Sequence, residues 1–149
     1  MYIYVCGLSR KPPQEQQYLQ ELGVRPGASR CELARLCELS AISFPEDYLA
    51  FLQETNGAEG MLGSSYVVFW RTEDLLEYQQ GGAIAQFFPG IFLIGSDGGG
   101  EAFGIDLRGP VPAYIRIPFI TIDDRDLIVC AHSLEEFLHY LYNLDWKDW

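Results

Sequence analysis

The chain has 149 residues, 48% hydrophobic and 21% charged, which is the balance of one globular domain with a real core and excludes wholesale disorder. Its net charge is −11, and this excess lies almost wholly beyond residue 40: the first forty residues sum to +1 and the rest to −12. A surface this acidic is repelled by phosphate backbones and anionic membranes, so nucleic acid and membrane are excluded as partners, and a charged macromolecular partner is expected to be basic.

In chain order, Tyr2–Val5 reads as a short strand, broken by Pro12–Pro13. The apolar stretch Tyr2–Leu8 is too short for a signal peptide or membrane span, so a cytoplasmic location is expected. Three helices then open on a Ser with Glu three residues later: Ser29/Glu32, Ser43/Glu46 and Ser133/Glu136. In each pair the hydroxyl is placed to accept the amide of the third helical residue. Leu33, Leu36 and Cys37 give the first helix its apolar stripe, and Tyr48, Phe51 and Leu52 the second. Pro45 suits a first turn, and Asn56–Gly57 supplies a left-handed stop. Between the second and third helices the period changes to that of strands, at 65–70, 91–95, 101–107, 113–122 and 127–130. A shorter helix over Glu73–Gln80, capped by Thr72 and ended by Gly81–Gly82, interrupts them. The last helix sets Leu134, Phe137, Leu138 and Leu141 on one face. Helices first, strands in the middle and a helix last predict an α+β domain. Its sheet is largely antiparallel, with N-terminal helices and a C-terminal helix packed on it.

The segment GSDGGGEAFGIDLR (95–108) invites a ligand-loop reading, and each template fails on a named residue. A phosphate loop from Gly95 would need Lys and Ser or Thr where Glu101 and Ala102 stand. A dinucleotide fingerprint from Gly98 would need glycine at Phe103 and a helix after it. A calcium loop from Asp97 would need glycine at Ala102 and glutamate at Arg108. Alternation follows instead, with Glu101, Phe103, Ile105 and Leu107 on one face and Ala102, Gly104 and Asp106 on the other. The segment is therefore a hairpin, and its turn needs backbone angles that disfavour β-carbons at Gly98 or Gly99.

Chemistry-bearing patterns are sparse. Cys6, Cys31, Cys37 and Cys130 form no CxxC pair, and His132 and His139 match no metal spacing. GSSYV (63–67) lacks the last glycine of a nucleophile elbow. No catalytic residue, metal or cofactor is expected. The residues expected to meet a partner are the acids Asp97, Glu101, Asp106, Asp123, Asp124 and Asp126, with Tyr66 and Trp70 as aromatic anchors.

ISFPEDYLAFLQETNGAEG (42–60) resembles the Leu/Phe-Pro-x-x-Tyr-x-x-Phe-Leu-x-x-x-Asn-Gly signature of the SUKH superfamily, in its fungal cell-wall-assembly-regulator-like branch. FPGIFLIGSDGGGEAFGIDLRG and IPFITIDDRDLIVCAHSLEEFLHYL are similar to the rest of that domain. The likeness implies a SUKH-like domain over 42–149, with 1–41 an N-terminal extension that is part of it. It also implies a non-enzymatic binding role, most often that of an immunity protein that neutralises a toxin such as a nuclease. The alternative it leaves open is an intracellular regulatory or scaffolding protein.

Overall fold

A computed structural model describes residues 14–81, 88–120 and 123–145. The expected strand Tyr2–Val5, Gly82, the end of the 113–122 strand at Thr121 and Ile122, and Trp146 and Trp149 lie outside the described residues. The elements run α1 (Gln14–Leu19), β1 (Gly23–Val24), α2 (Arg30–Ser40), α3 (Glu46–Glu54), β2 (Ala58–Leu62), β3 (Ser65–Phe69) and α4 (Thr72–Gly81). They continue as β4 (Ile91–Ser96), β5 (Glu101–Asp106), β6 (Ala113–Pro118), a single 3-10 turn (Asp124–Asp126), β7 (Ile128–Ala131) and α5 (Leu134–Asn143). Among the described residues the strands form one seven-stranded sheet in sequence order, with each pair of neighbours antiparallel. The fold is α+β, as the sequence pattern predicts.

Register decides what each face carries. One ladder aligns Phe69, Gly95, Phe103 and Arg116, and the next aligns Val68, Ser96, Ala102 and Ile117. Onto the Phe69–Phe103 face α5 lowers Phe137, whose ring lies 5.5 Å from Phe103 edge-on and 5.6 Å from Tyr114. From α3, Phe51 meets Phe69 edge-on at 5.6 Å. Edge-to-face rings gain from their quadrupoles beyond the area they bury, so this cluster ties both helices to the sheet. Along β4 and β5 the second face is buried too, through Ile91, Leu93, Ala102 and Gly104. That is why IFLIGS reads as a continuous apolar run rather than an alternation.

Helix starts show where tertiary contacts replace local signals. Ser29 and Glu32 form the full reciprocal box on α2, at 3.1 and 2.8 Å. Ser133 accepts the Glu136 amide, while the Glu136 carboxylate reaches the His132 amide instead of that of Ser133. The Ser43/Glu46 expectation is corrected: α3 begins at Glu46, directly after an extended Pro45, so Ser43 stands too far back to cap it. Thr72 lies inside α4 rather than before it, and its amide donates to Asn56 Oδ1 at 2.9 Å. Asn56–Gly57 thus serves two helices. Asn56 satisfies the start of α4, and Gly57 (φ 91) makes the turn after α3, where a β-carbon would crowd the Phe69 carbonyl.

One carboxylate joins three elements. Asp47, in the first turn of α3, accepts the Tyr114 hydroxyl of β6 and the Leu134 amide at the start of α5, both at 2.7 Å. A negative group at a helix N-terminus also meets the positive end of its dipole. Tyr48, the next residue, buries its hydroxyl with no hydrogen-bond partner among the described residues.

Candidate functional site: the hairpin turn and the outer face of β2 and β3

Asp97 organises the glycine turn. Its Oδ1 accepts the amides of Gly99 (2.8 Å) and Glu101 (3.1 Å), and Ser96 Oγ accepts that of Gly98 (3.0 Å). Three amides that could face an anion are thus taken by the loop's own side chains. Of the turn's three glycines Gly98 alone has positive φ, at 81°; Gly99 does not need it.

The turn also positions an aromatic. A β-carbon on Gly98 would lie 3.0 Å from Tyr66 Cδ2, so the glycine backbone packs directly against that ring. Tyr66 is 40% exposed and pairs across the ladder with Met61, which is 50% exposed. The Tyr66 hydroxyl donates to Glu59 Oε2, and that bond, more than desolvation, pushes the phenol above its ordinary pKa. Glu59, Met61 and Tyr66 thus share the outer face of β2–β3, with Asp97 beside them. Neither Glu59 nor Met61 stands out in the sequence analysis, because AEGML follows directly on the Asn56–Gly57 stop and carries a glycine of its own. Its signal is the alternation of inward Ala58 and Leu62 with outward Glu59 and Met61.

The remaining expected residues divide by environment. Glu101, at the base of the turn, is partly buried; desolvation pushes its carboxyl up, Asp97 and Asp126 add to the shift, and Arg116 opposes it. Asp97, Glu101 and Asp126 are therefore brought together at the end of the strands where β4 turns into β5. Arg116 is itself buried on β6, with its guanidinium 6.0 Å from the Tyr140 ring centre. Next to it, burial pushes the Cys130 thiol up to about 11. Asp106 stands at the far end of β5, where Arg108 Nε and Nη2 grip its carboxylate at 3.0 Å each and hold it below the usual range. Asp123 is likewise lowered by Arg125, whose Nε donates at 2.7 Å. The side chain of Asp124 lies outside the described residues. Trp70 is 6% exposed and stacked on Tyr78 at 3.9 Å, so it belongs to the buried core; Tyr78 is the exposed ring of the pair.

Among the described residues no group of three or more His, Cys, Asp or Glu side chains is placed to hold a metal ion, and no helix is long and apolar enough to cross a membrane. The two histidines are separately engaged. Tyr18 Oη lies 2.6 Å from His139 Nδ1, and His132 Nδ1 lies 3.3 Å from the Pro112 carbonyl.

The described residues thus form an antiparallel meander with α3 and α5 on one face and Glu59, Met61 and Tyr66 exposed on the outer face of β2–β3. The chain belongs to the SMI1 / KNR4 family (SUKH-1), which matches residues 27–139. The match begins before Ile42 and takes in α2. No curated protein matches the chain.

Proposed function

We propose that this protein is a non-enzymatic protein-binding domain of the immunity type, whose partner is a basic toxin domain that it neutralises by occupying the toxin's working surface. Family membership supports a binding role. The observation that carries the choice of partner is the charge distribution. No Lys or Arg occurs on β2, β3, β4 or β5, and the acids Glu59 and Glu101 on these strands are joined by Asp97 in the turn. A nuclease must keep a basic cleft for phosphates, and an acidic inhibitor complements such a cleft with fast, salt-sensitive association. The domain carries out no turnover of its own in this reading and needs no cofactor. Its place of action is the cytoplasm, where an immunity protein must meet an incoming toxin.

The test is to isolate the native complex from the source cells, identify the partner and measure association against ionic strength. The expected partner is a basic protein whose association slows steeply between about 0.1 M and about 1 M salt, as the Debye length falls from about 10 to about 3 Å. Substituting Lys for Asp97, Glu101 and Asp126 together should flatten that dependence. A neutral or acidic partner, or a rate indifferent to salt, overturns the proposal.

A further inference from the structure

We infer that the outer face of β2–β3 is an arginine-reading surface, on which a guanidinium of the partner stacks on the Tyr66 ring and hydrogen-bonds to the carboxylates beside it. This rests on the reading of the protein as an acid-faced binding domain and assigns the contact within it. Three features converge there. Met61 and Tyr66 are both large, apolar and about half exposed, on adjacent strands in direct register. Glu59, also exposed, receives the Tyr66 hydroxyl, which fixes the ring and holds a carboxylate at its rim. Gly98 brings the Asp97 turn against the ring's Cδ2–Cε2 edge, and Asp97 engages the turn's amides through Oδ1, not Oδ2. No cation of the chain's own stands on β2, β3, β4 or β5 to compete for the site.

The chemistry selects arginine over lysine. A guanidinium is planar, weakly hydrated, and stacks on an aromatic face while donating sideways to carboxylates; an ammonium is a strongly hydrated point charge without the flat fork that does both at once. The Met61 thioether beside Tyr66 adds a polarizable surface for the arginine stem. The glycine at 98 lets the turn lie this close, because a side chain at that position would press into the Tyr66 ring.

The experiment titrates the isotope-labelled full chain with an oligoarginine peptide and, separately, an oligolysine peptide of the same length, following backbone amides by NMR. The expected result is shifts concentrated in 58–62, 65–69 and 97–100, with the arginine peptide bound about fivefold tighter than the lysine peptide. Tyr66→Ser should abolish that preference, while Tyr66→Phe, which keeps the ring and loses the bond to Glu59, should retain it. The Phe variant keeps the test decisive if the Ser variant unfolds. Shifts centred on the Asp106 or Asp123 ends, or equal affinity for the two peptides, overturn this surface and leave the acid-faced binding domain standing. Absence of binding to either peptide at low salt overturns both.

Discussion

Asp47→Ala should be among the most costly single substitutions at a partly exposed position, because it severs two hydrogen bonds that join α3, β6 and α5. One accepted donor is the amide of Leu134 at the start of α5, and the other is the hydroxyl of Tyr114, a residue with 0% exposure. A hydrogen bond to a charged group contributes about 1.5–3 kcal/mol. Asp47 is only partly buried, so the lower end applies to each, and together they come to about 3 kcal/mol. With a urea slope of about 2 kcal/mol/M, the unfolding midpoint should fall by about 1.5 M. Asp47→Asn should cost only about 1 kcal/mol. Its amide oxygen still accepts from Leu134 and its amide nitrogen can donate to a rotated Tyr114 hydroxyl, so what is lost is chiefly the charge at the helix N-terminus. Tyr114→Phe combined with Asp47→Ala closes a double-mutant cycle, and a coupling of about 1 kcal/mol is expected. An alanine variant within about 0.5 kcal/mol of wild type, or a coupling near zero, would refute the claim that this carboxylate ties the helices to the sheet.

Tyr48→Phe should behave in the opposite sense to Tyr114→Phe and raise the urea midpoint, since it deletes a buried hydroxyl that has no partner among the described residues, a relief of about 1 kcal/mol. Gly98→Val should destabilise by about 1–2 kcal/mol in the same assay, because φ 81 is left-handed and the new β-carbon meets Tyr66; Gly100→Ala, with nothing near its β-carbon, should be close to neutral. Glu101 has its pKa raised by folding, so the native state holds its proton more firmly than the unfolded chain. The stability this contributes is full below the unfolded value of about 4.3 and is lost as pH rises from there through the folded value. Glu101→Gln should therefore be more stable than wild type at neutral pH, with the difference gone below about pH 4, as read from urea midpoints across pH. Cys130, raised to about 11, should resist alkylation at pH 8 while exposed Cys31 reacts, and should label only on unfolding, as followed by mass spectrometry.

What could be read in advance was local. Ser29/Glu32 and Ser133/Glu136 mark their helices because the capping partners are neighbours in the chain. The hairpin at 97–100 follows from glycines that no phosphate or metal template accommodates. The start of α4 depends on Asn56, sixteen residues away, and that of α5 partly on Asp47, eighty-seven residues away, which no local pattern reports. For the site, Tyr66 was legible as an aromatic on a strand, but Gly98 as its packing neighbour required the register of β3 against β4. For Trp70, composition cannot tell a buried ring from an exposed one, and its burial against Tyr78 depends on where α4 folds back. The grip of Arg108 on Asp106 and of Arg125 on Asp123 spans two residues in each case, so the Asp-x-Arg spacing carries these ion pairs in the sequence itself.

Because the strands of the meander add in the order in which they occur in the chain, a ribosome can deliver them one after another and each can pair with the strand just before it. The aromatic face built by Phe69, Phe103 and Tyr114 is complete once β6 has emerged, yet Phe137 arrives only with α5. Through that interval of synthesis α3 already covers Phe69 through Phe51, while the Phe103 and Tyr114 rings still lack the Phe137 ring that packs on them in the finished fold.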